Sequence, residues 1–502
     1  MSATLDELRE QLAEVRDLET ITMTLLWDQQ TMMPPGGGET RADQLATLER
    51  LRHDRGTCPE LGALLDKAEP EVADLPADSD DASLVRVARR DFEKAVRVPS
   101  DLKGELARAA SLGQEAWTRA RARSDFPAFL PHLERILELK HRYVACFEDG
   151  IQVPYDALLD DYEPDARTQE VAAVFAELKA GLVPLIAQIG ERQDAVDSAP
   201  LRGSFDPDAQ RALARRVLGA LGFDDKSWRL DEAAHPFSAR CGVDDNRITT
   251  RVDRDYVAMS LYASLHECGH SLYEAGVAPE LARTPLGSGV SLGVHESQSR
   301  LWENLVGRSR PFCGWLLPQL REAFPGQFDD VDADALFRAL NEVKPSFIRV
   351  EADEATYSLH VILRFELEQE LIDGGLAPRD LPEAWNARVH DYLGLEVTDD
   401  AYGVLQDVHW SAGLVGYFPT YALGNVIGAQ IWERVHTDLP DVDERIGRGE
   451  LDGIREWLVE HLYRHGRKFT PRETVERVTG APLDVQPYLG YLRGKFGEIY
   501  GL

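Results

Sequence analysis

Lysine is scarce in this 502-residue chain: nine residues, against 46 arginines and 87 acidic side chains. The formal net charge is −32 at pH 7. A chain so acidic is a poor match for nucleic acid or anionic lipid, because both are gripped by clustered Lys and Arg. No nucleic-acid or membrane partner is therefore expected. Cysteine is sparse too. Cys58, Cys146, Cys241, Cys268 and Cys313 stand singly, with no CxxC pair. That pattern predicts reduced thiols in a cytoplasmic protein rather than a disulfide framework. The opening MSATLDELREQLAEV has neither a basic start nor an apolar stretch, so no secretory signal is read there. Long hydrophobic runs are also missing, with one exception. Residues 408–432 carry no Asp, Glu, Lys or Arg and are about long enough to span a bilayer. They also contain His409, Asn425, Gln430, Pro419 and four glycines, which fits a buried segment lining a site better.

What is present is helical periodicity. Leu5, Leu8, Leu12, Val15 and Leu18 recur at three- and four-residue steps, the signature of an amphipathic helix over 4–27. It should stop before Met33-Pro34-Pro35-Gly36-Gly37-Gly38. Similar patterns predict helices near 41–53, 82–96, 102–122, 127–147, 167–193 and 207–221. A link is expected at 69–81, where Pro, Ala and Asp cluster. The texture changes at 227–252, where β-branched and aromatic residues flank Gly242-Val-Asp-Asp245, as in a small hairpin or edge sheet. Helices resume at 254–275, 291–308, 333–341, 354–373 and 424–436, with a final group beyond 450. The fold class is mostly α with one small sheet.

In the 254–275 helix stands His266-Glu267-Cys268-Gly269-His270. Side chains at i and i+4 share one helix face, about 5–6 Å apart, so two imidazoles can grip one ion. Glu267 is placed on the flank to take a proton from an activated water. The apolar neighbours Val257, Leu261, Leu265, Leu272 and Tyr273 predict burial, and buried imidazoles need a partner. A catalytic zinc needs a third protein ligand and an open position. The extended metzincin motif fails, since Tyr273 stands where Gly is required and Gly276 where His is required. Glu274 lies one turn too far along the same helix. Glu296, in His295-Glu296-Ser297-Gln298 on the next predicted helix, is the better candidate.

Six blocks in order give the chain a resemblance to the carboxypeptidase Taq family of zinc metallocarboxypeptidases. They are His235-Pro236-Phe237, Asp245-Asn-Arg247-Ile-Thr249, His266-Glu-Cys-Gly-His270, His295-Glu296-Ser297-Gln298, Ile348-Arg349-Val-Glu-Ala352-Asp353 and Gly403-Val-Leu-Gln406-Asp407-Val-His409-Trp410. The resemblance implies a nearly all-helical peptidase domain with a deep active-site groove. It further implies a homodimer, and release of C-terminal residues from peptides with broad specificity. One domain, 1–502, is expected: a helical part at 1–225, a catalytic core at 226–436 and C-terminal helices at 437–502.

The blocks can then be given jobs. One Zn2+ per chain, with Co2+ as a substitute, would sit on His266, His270 and Glu296, with Glu267 as general base. A carboxypeptidase must bind the free α-carboxylate, and a guanidinium does so with paired hydrogen bonds. The resemblance favours Arg349 as that anchor, with Arg247 as the alternative and His235 as a further substrate-binding residue. The strand around Arg247 could also pair with an extended substrate. His409 and a tyrosine, Tyr421 in preference to Tyr417, are the oxyanion donors expected beside the metal. Asp353 and Asp407 are expected behind the imidazoles, either as their hydrogen-bond partners or as structural caps. Two rival functions share the metal site: a helical zinc endo-oligopeptidase, and a non-catalytic helical metal-binding protein.

Other motifs read as bland. Gly289-Val-Ser291-Leu-Gly293 matches GxSxG but follows no strand, so a loop is expected. Cys268 is expected as a small buried side chain. His360, Arg364 and Glu368, four residues apart, read as an ion-pair ladder on a helix.

Overall fold

The computed structural model describes residues 2–502. The leucine pattern near the start forms a helix at Ala3–Thr31 that ends before the Pro-Gly run. Helices at Asp80–Arg97, Ser100–Arg123, Phe126–Ala145, Thr168–Gly190 and Pro207–Leu221 follow the predicted periodicity. Three of these starts are capped by side chains: Ser79, Asp125 and Asp206 each accept a first-turn backbone N–H. Three helices of 13 or 14 residues were not anticipated: Pro59–Val72, Arg310–Ala323 and Leu381–Leu393. Each has proline at its first or second position, where the missing N–H costs nothing and the fixed φ suits a helix. The first of them also takes in the start of the link expected at 69–81.

The small sheet has three strands: β1 (Trp228–Glu232), β2 (Ser238–Gly242) and β3 (Asp245–Thr250). β2 and β3 form the predicted hairpin, antiparallel with Ala239 opposite Arg247 and irregular between Arg240 and Gly242. β1 pairs with β3 in parallel, Arg229 opposite Arg247, giving the order β1-β3-β2. The strand bearing Arg247 is therefore central. Both its edges are already paired, so the expectation that it could take up a substrate strand is corrected. β2 is the edge strand that borders the cleft, through Ser238 and Arg240.

The helix bearing the HExxH motif, Ala258–Ala275 (the motif helix), packs on β3 and on the helix Leu292–Arg300 that bears Glu296. The long uncharged segment becomes, for the most part, the helix Pro419–Asp438, with almost every residue from Pro419 to Trp432 buried against the core. It lies along the Glu296 helix so closely that a Cβ on Gly424 would stand 2.7 Å from the Glu296 side chain. From the other side, a Cβ on Gly269 would stand 2.6 Å from Ser299 Cα and 2.7 Å from the Gln298 carbonyl oxygen. The glycine inside the motif thus lets two backbones meet, and the Glu296 helix is clamped between its neighbours. Gly269→Ala should force those backbones apart and weaken metal binding at least tenfold, while overpacking costs about 1–3 kcal/mol of stability. A chelator titration beside a melting curve checks this; wild-type affinity would mean the clamp does not set the site.

Among the described residues one helix, Thr168–Gly190, is long and apolar enough to cross a membrane by length and composition. Val171, Phe175, Leu178, Leu182 and Ile189 bury one face of it in the main core. The helices at Ala3–Thr31, Pro59–Val72 and Asp80–Arg97 share a separate core, which Val277, Leu281 and Leu286 join from the loop after the motif helix. The N-terminal helices therefore hold the connection between the two helices that carry the motif and Glu296.

Candidate active site

A cleft of about 1980 Å³ runs between the N-terminal helices and the rest, and His266, Glu267, His270 and Glu296 line it. Donor atoms of His266, His270 and Glu296 lie within 4.8 Å of one another. Glu296 Oε2 is 3.8 Å from His266 Nε2 and 3.5 Å from His270 Nε2. Donors 2.0–2.1 Å from a tetrahedral ion sit about 3.3–3.4 Å apart. The spacing therefore fits one small ion with little adjustment. Glu296 Oε1 is turned away and accepts from Arg300 Nε at 2.8 Å, which leaves Oε2 free for an ion.

The far nitrogens of both imidazoles are engaged. His266 Nδ1 is 2.9 Å from Glu303 Oε2, and His270 Nδ1 is 2.7 Å from His295 Nδ1. Glu303 sits where the Glu296 helix loosens into a π-helical turn at Leu301–Val306, a distortion common at functional sites. Burial by itself would raise the Glu303 carboxyl, but Arg300 and His266 outweigh it and hold it at about 2. Burial pushes His270 down to about 4, so both of its nitrogens are not protonated together near neutrality. Burial also pushes Glu267 up to about 7, an effect that His266 partly offsets. Among the described residues, the Glu267 carboxyl makes no hydrogen bond.

Of the two carboxylates expected behind imidazoles or as caps, Asp407 lies 3.9 Å from His409 Nδ1, whereas the partner of His266 is Glu303, which no sequence block singles out. Asp353 takes the structural alternative and ties the turn leading into the helix Tyr357–Asp373, accepting from Ala355 N, Thr356 N and Thr356 Oγ1 at 2.8–2.9 Å. Asp407 gathers two arginines. Its Oδ1 accepts from Arg349 Nε at 3.0 Å and Nη2 at 2.9 Å, and its Oδ2 accepts from Arg364 Nε at 2.7 Å. Arg349 Nη1 donates to Tyr357 Oη at 2.8 Å. Two guanidinium groups thus share one carboxylate, and the trio holds a buried excess positive charge. A guanidinium has five N–H groups, so Arg349 keeps two donors beyond these contacts. It stands in a 3₁₀ turn on the cleft wall, beside Val350, which is 72% exposed.

Arg364 corrects the ladder expected from His360, Arg364 and Glu368. All three are buried, and Glu368 instead accepts from Tyr155 Oη, Trp410 Nε1 and Gly416 N. His409 Nε2 lies 3.1 Å from Tyr421 Oη, so the two line the cleft as a bonded pair. Burial first, and Arg349 second, lower the His409 imidazole to about 3, so it is neutral. Tyr417 stacks edge-on against Tyr421 and Tyr162.

The structure does not bring Arg247 to the cleft. Asp245 holds its guanidinium at 2.7 Å through Nε and Nη2, and it stacks 4.3 Å from the buried Trp27 ring, with Arg229 also over that ring at 4.7 Å. A guanidinium so occupied binds the first helix to the sheet, which corrects its expected role as a carboxylate anchor. His235 is exposed at the cleft wall. Cys268 is fully buried, where burial pushes its thiol up. Ser291 of the GxSxG match caps the Glu296 helix through Val294 N, with no strand before it.

The comparisons with known proteins converge. The family model of carboxypeptidase Taq (M32) metallopeptidases matches residues 7–496. The chain is 43% identical over 496 residues to thermostable carboxypeptidase 1 of Thermus thermophilus, covering 97% of each chain. It is 38% identical to carboxypeptidase 1 of Bacillus subtilis, covering 94% of each. Its fold is similar to the crystal structure of the M32 carboxypeptidase from Deinococcus radiodurans R1, with a TM-score of 0.97, 43% identity and full coverage of both chains. With the His and Glu donors assembled as a metallopeptidase requires, the chain belongs to the carboxypeptidase Taq (M32) family and is a metallocarboxypeptidase, a hydrolase of peptides.

Proposed function

We propose that the chain releases C-terminal residues from peptides with broad specificity, by attack of a water activated at one Zn2+ held by His266, His270 and Glu296. Co2+ would serve as a substitute, since the same two imidazoles and carboxylate suit it. The observation that carries this reading is one cleft joining the donor trio to a buried, uncompensated positive charge at Arg349, Arg364 and Asp407. When bound, the ion polarises the scissile carbonyl and brings the pKa of its water to about 7.

The chain's own groups do the rest. Arg349 takes the substrate α-carboxylate with its spare donors and fixes which peptide bond lies over the donor trio. Glu267, free of other bonds, receives the proton of the attacking water and passes it to the leaving amine. His409, neutral, donates from Nε2 to Tyr421 Oη, which leaves the Tyr421 hydroxyl proton to offer to the developing oxyanion. Breadth of specificity is supported by the size of the cleft, which offers room for varied side chains. The five unpaired cysteines support a cytoplasmic setting. The family resemblance supports a homodimer and a single domain whose 226–436 portion carries the chemistry.

Metal analysis tests the assignment. Purified protein is expected to hold about one zinc per chain, and Glu296→Ala to lose most of it together with turnover. Unchanged metal content in that variant would remove Glu296 from the site.

A further inference from the structure

We propose that His295 and Glu274 are positioning residues that hold His270 in its metal-binding tautomer. This rests on the reading of His270 as a ligand. The chain of contacts is continuous. His270 Nδ1 meets His295 Nδ1 at 2.7 Å, and His295 Nε2 meets Glu274 Oε1 at 3.0 Å. Glu274 is itself fixed: Oε1 also accepts from Gly289 N at 3.0 Å, and Arg240 Nη1 lies 3.5 Å from Oε2.

Proton positions follow by elimination. A carboxylate only accepts, so His295 presents its Nε2–H to Glu274. Its Nδ1 is then an acceptor, and His270 must donate from Nδ1. That leaves the Nε2 lone pair of His270 bare, 3.5 Å from Glu296 Oε2, where an ion would bind. Glu274 thus orients His270 through an intervening imidazole, whereas Glu303 orients His266 directly. Four residues after His270 on the same helix, Glu274 is not a ligand; it acts from behind one. The His295 ring also fills space, 5.2 Å from the Tyr273 ring and against Gly289, so packing has to be separated from hydrogen bonding.

Partners of this kind are typically worth 10–100-fold in metal affinity. The test measures zinc affinity of the apoprotein by competition with a chromogenic chelator, and the visible absorption of the Co2+-loaded protein. His295→Phe keeps a ring but cannot accept; it should bind zinc about 10–100-fold more weakly and change the cobalt spectrum. His295→Gln offers an acceptor oxygen and should recover part of the loss. Wild-type affinity in His295→Phe would mark the ring as packing alone and overturn the proposal, as would a loss in His295→Gln as large as that in His295→Phe, since a restored acceptor would then restore nothing. If His295→Phe fails to fold, Glu274→Leu decides in its place: weaker zinc binding supports the relay and unchanged affinity overturns it. Glu296→Ala keeps the two readings apart. Zinc lost there but retained in His295→Phe removes the relay and leaves the metal site standing; zinc retained in both removes the metal site itself.

Discussion

Glu267→Gln should keep its metal and lose about 10²–10⁴-fold in kcat, the usual worth of a positioned general base. The amide is nearly isosteric, so the motif helix and the Glu296 clamp should stay in place. What disappears is the ability to accept a proton. In the structure Glu267 lies beside His266, buried to 7% exposure, and its carboxyl forms no hydrogen bond among the described residues. A buried carboxyl left without a partner is free to accept a proton from an attacking water. KM should change little, because the carboxylate acts on a proton that moves only in the reaction. Turnover within severalfold of wild type, with metal content intact, would require another base.

The second large effect is expected at Arg349. Arg349→Ala should lower kcat/KM on free-acid peptides by about 2–5 kcal/mol, roughly 30-fold to several thousand-fold, the cost of removing one member of a buried charge pair. Metal content should not change, since the nearest links run to Asp407 and Tyr357 rather than to the donor trio. Lysine should recover only part, because an ammonium cannot hold Asp407 through two nitrogens and still present a fork to a carboxylate. Arg364→Lys would be milder, since Arg364 is fully buried and reaches substrate only through Asp407. Melting curves of each variant separate lost recognition from lost folding.

Much of this site is legible in the chain because local spacing governs it. His266 and His270 share a face by helix geometry alone, and the apolar residues around them foretell burial. Glu303 was in reach of the same logic: it stands seven residues after Glu296 and three after Arg300, on the face turned to His266. It escaped because a π-helical turn shifts the ordinary register there. Arg364 was misread for a different reason. Four-residue spacing from His360 to Glu368 says that they share a face, but not whether that face meets water. Arg247 shows the limit of local pattern most plainly. Its strand is central only because β1 pairs in parallel across the hairpin, and its guanidinium is occupied by Trp27, more than two hundred residues earlier. Neither contact leaves a mark in the local sequence.

If one buried positive charge reads the free end of the substrate, cleavage depends on a free C-terminal carboxylate. The most direct measurement compares a peptide with a free C-terminal carboxylate against the same peptide amidated, with products followed by mass spectrometry over time. The expected result is stepwise loss of single residues from the free acid, abolished by chelator, and negligible cleavage of the amide. Equal rates on the two peptides, or internal cleavage of both, would contradict it.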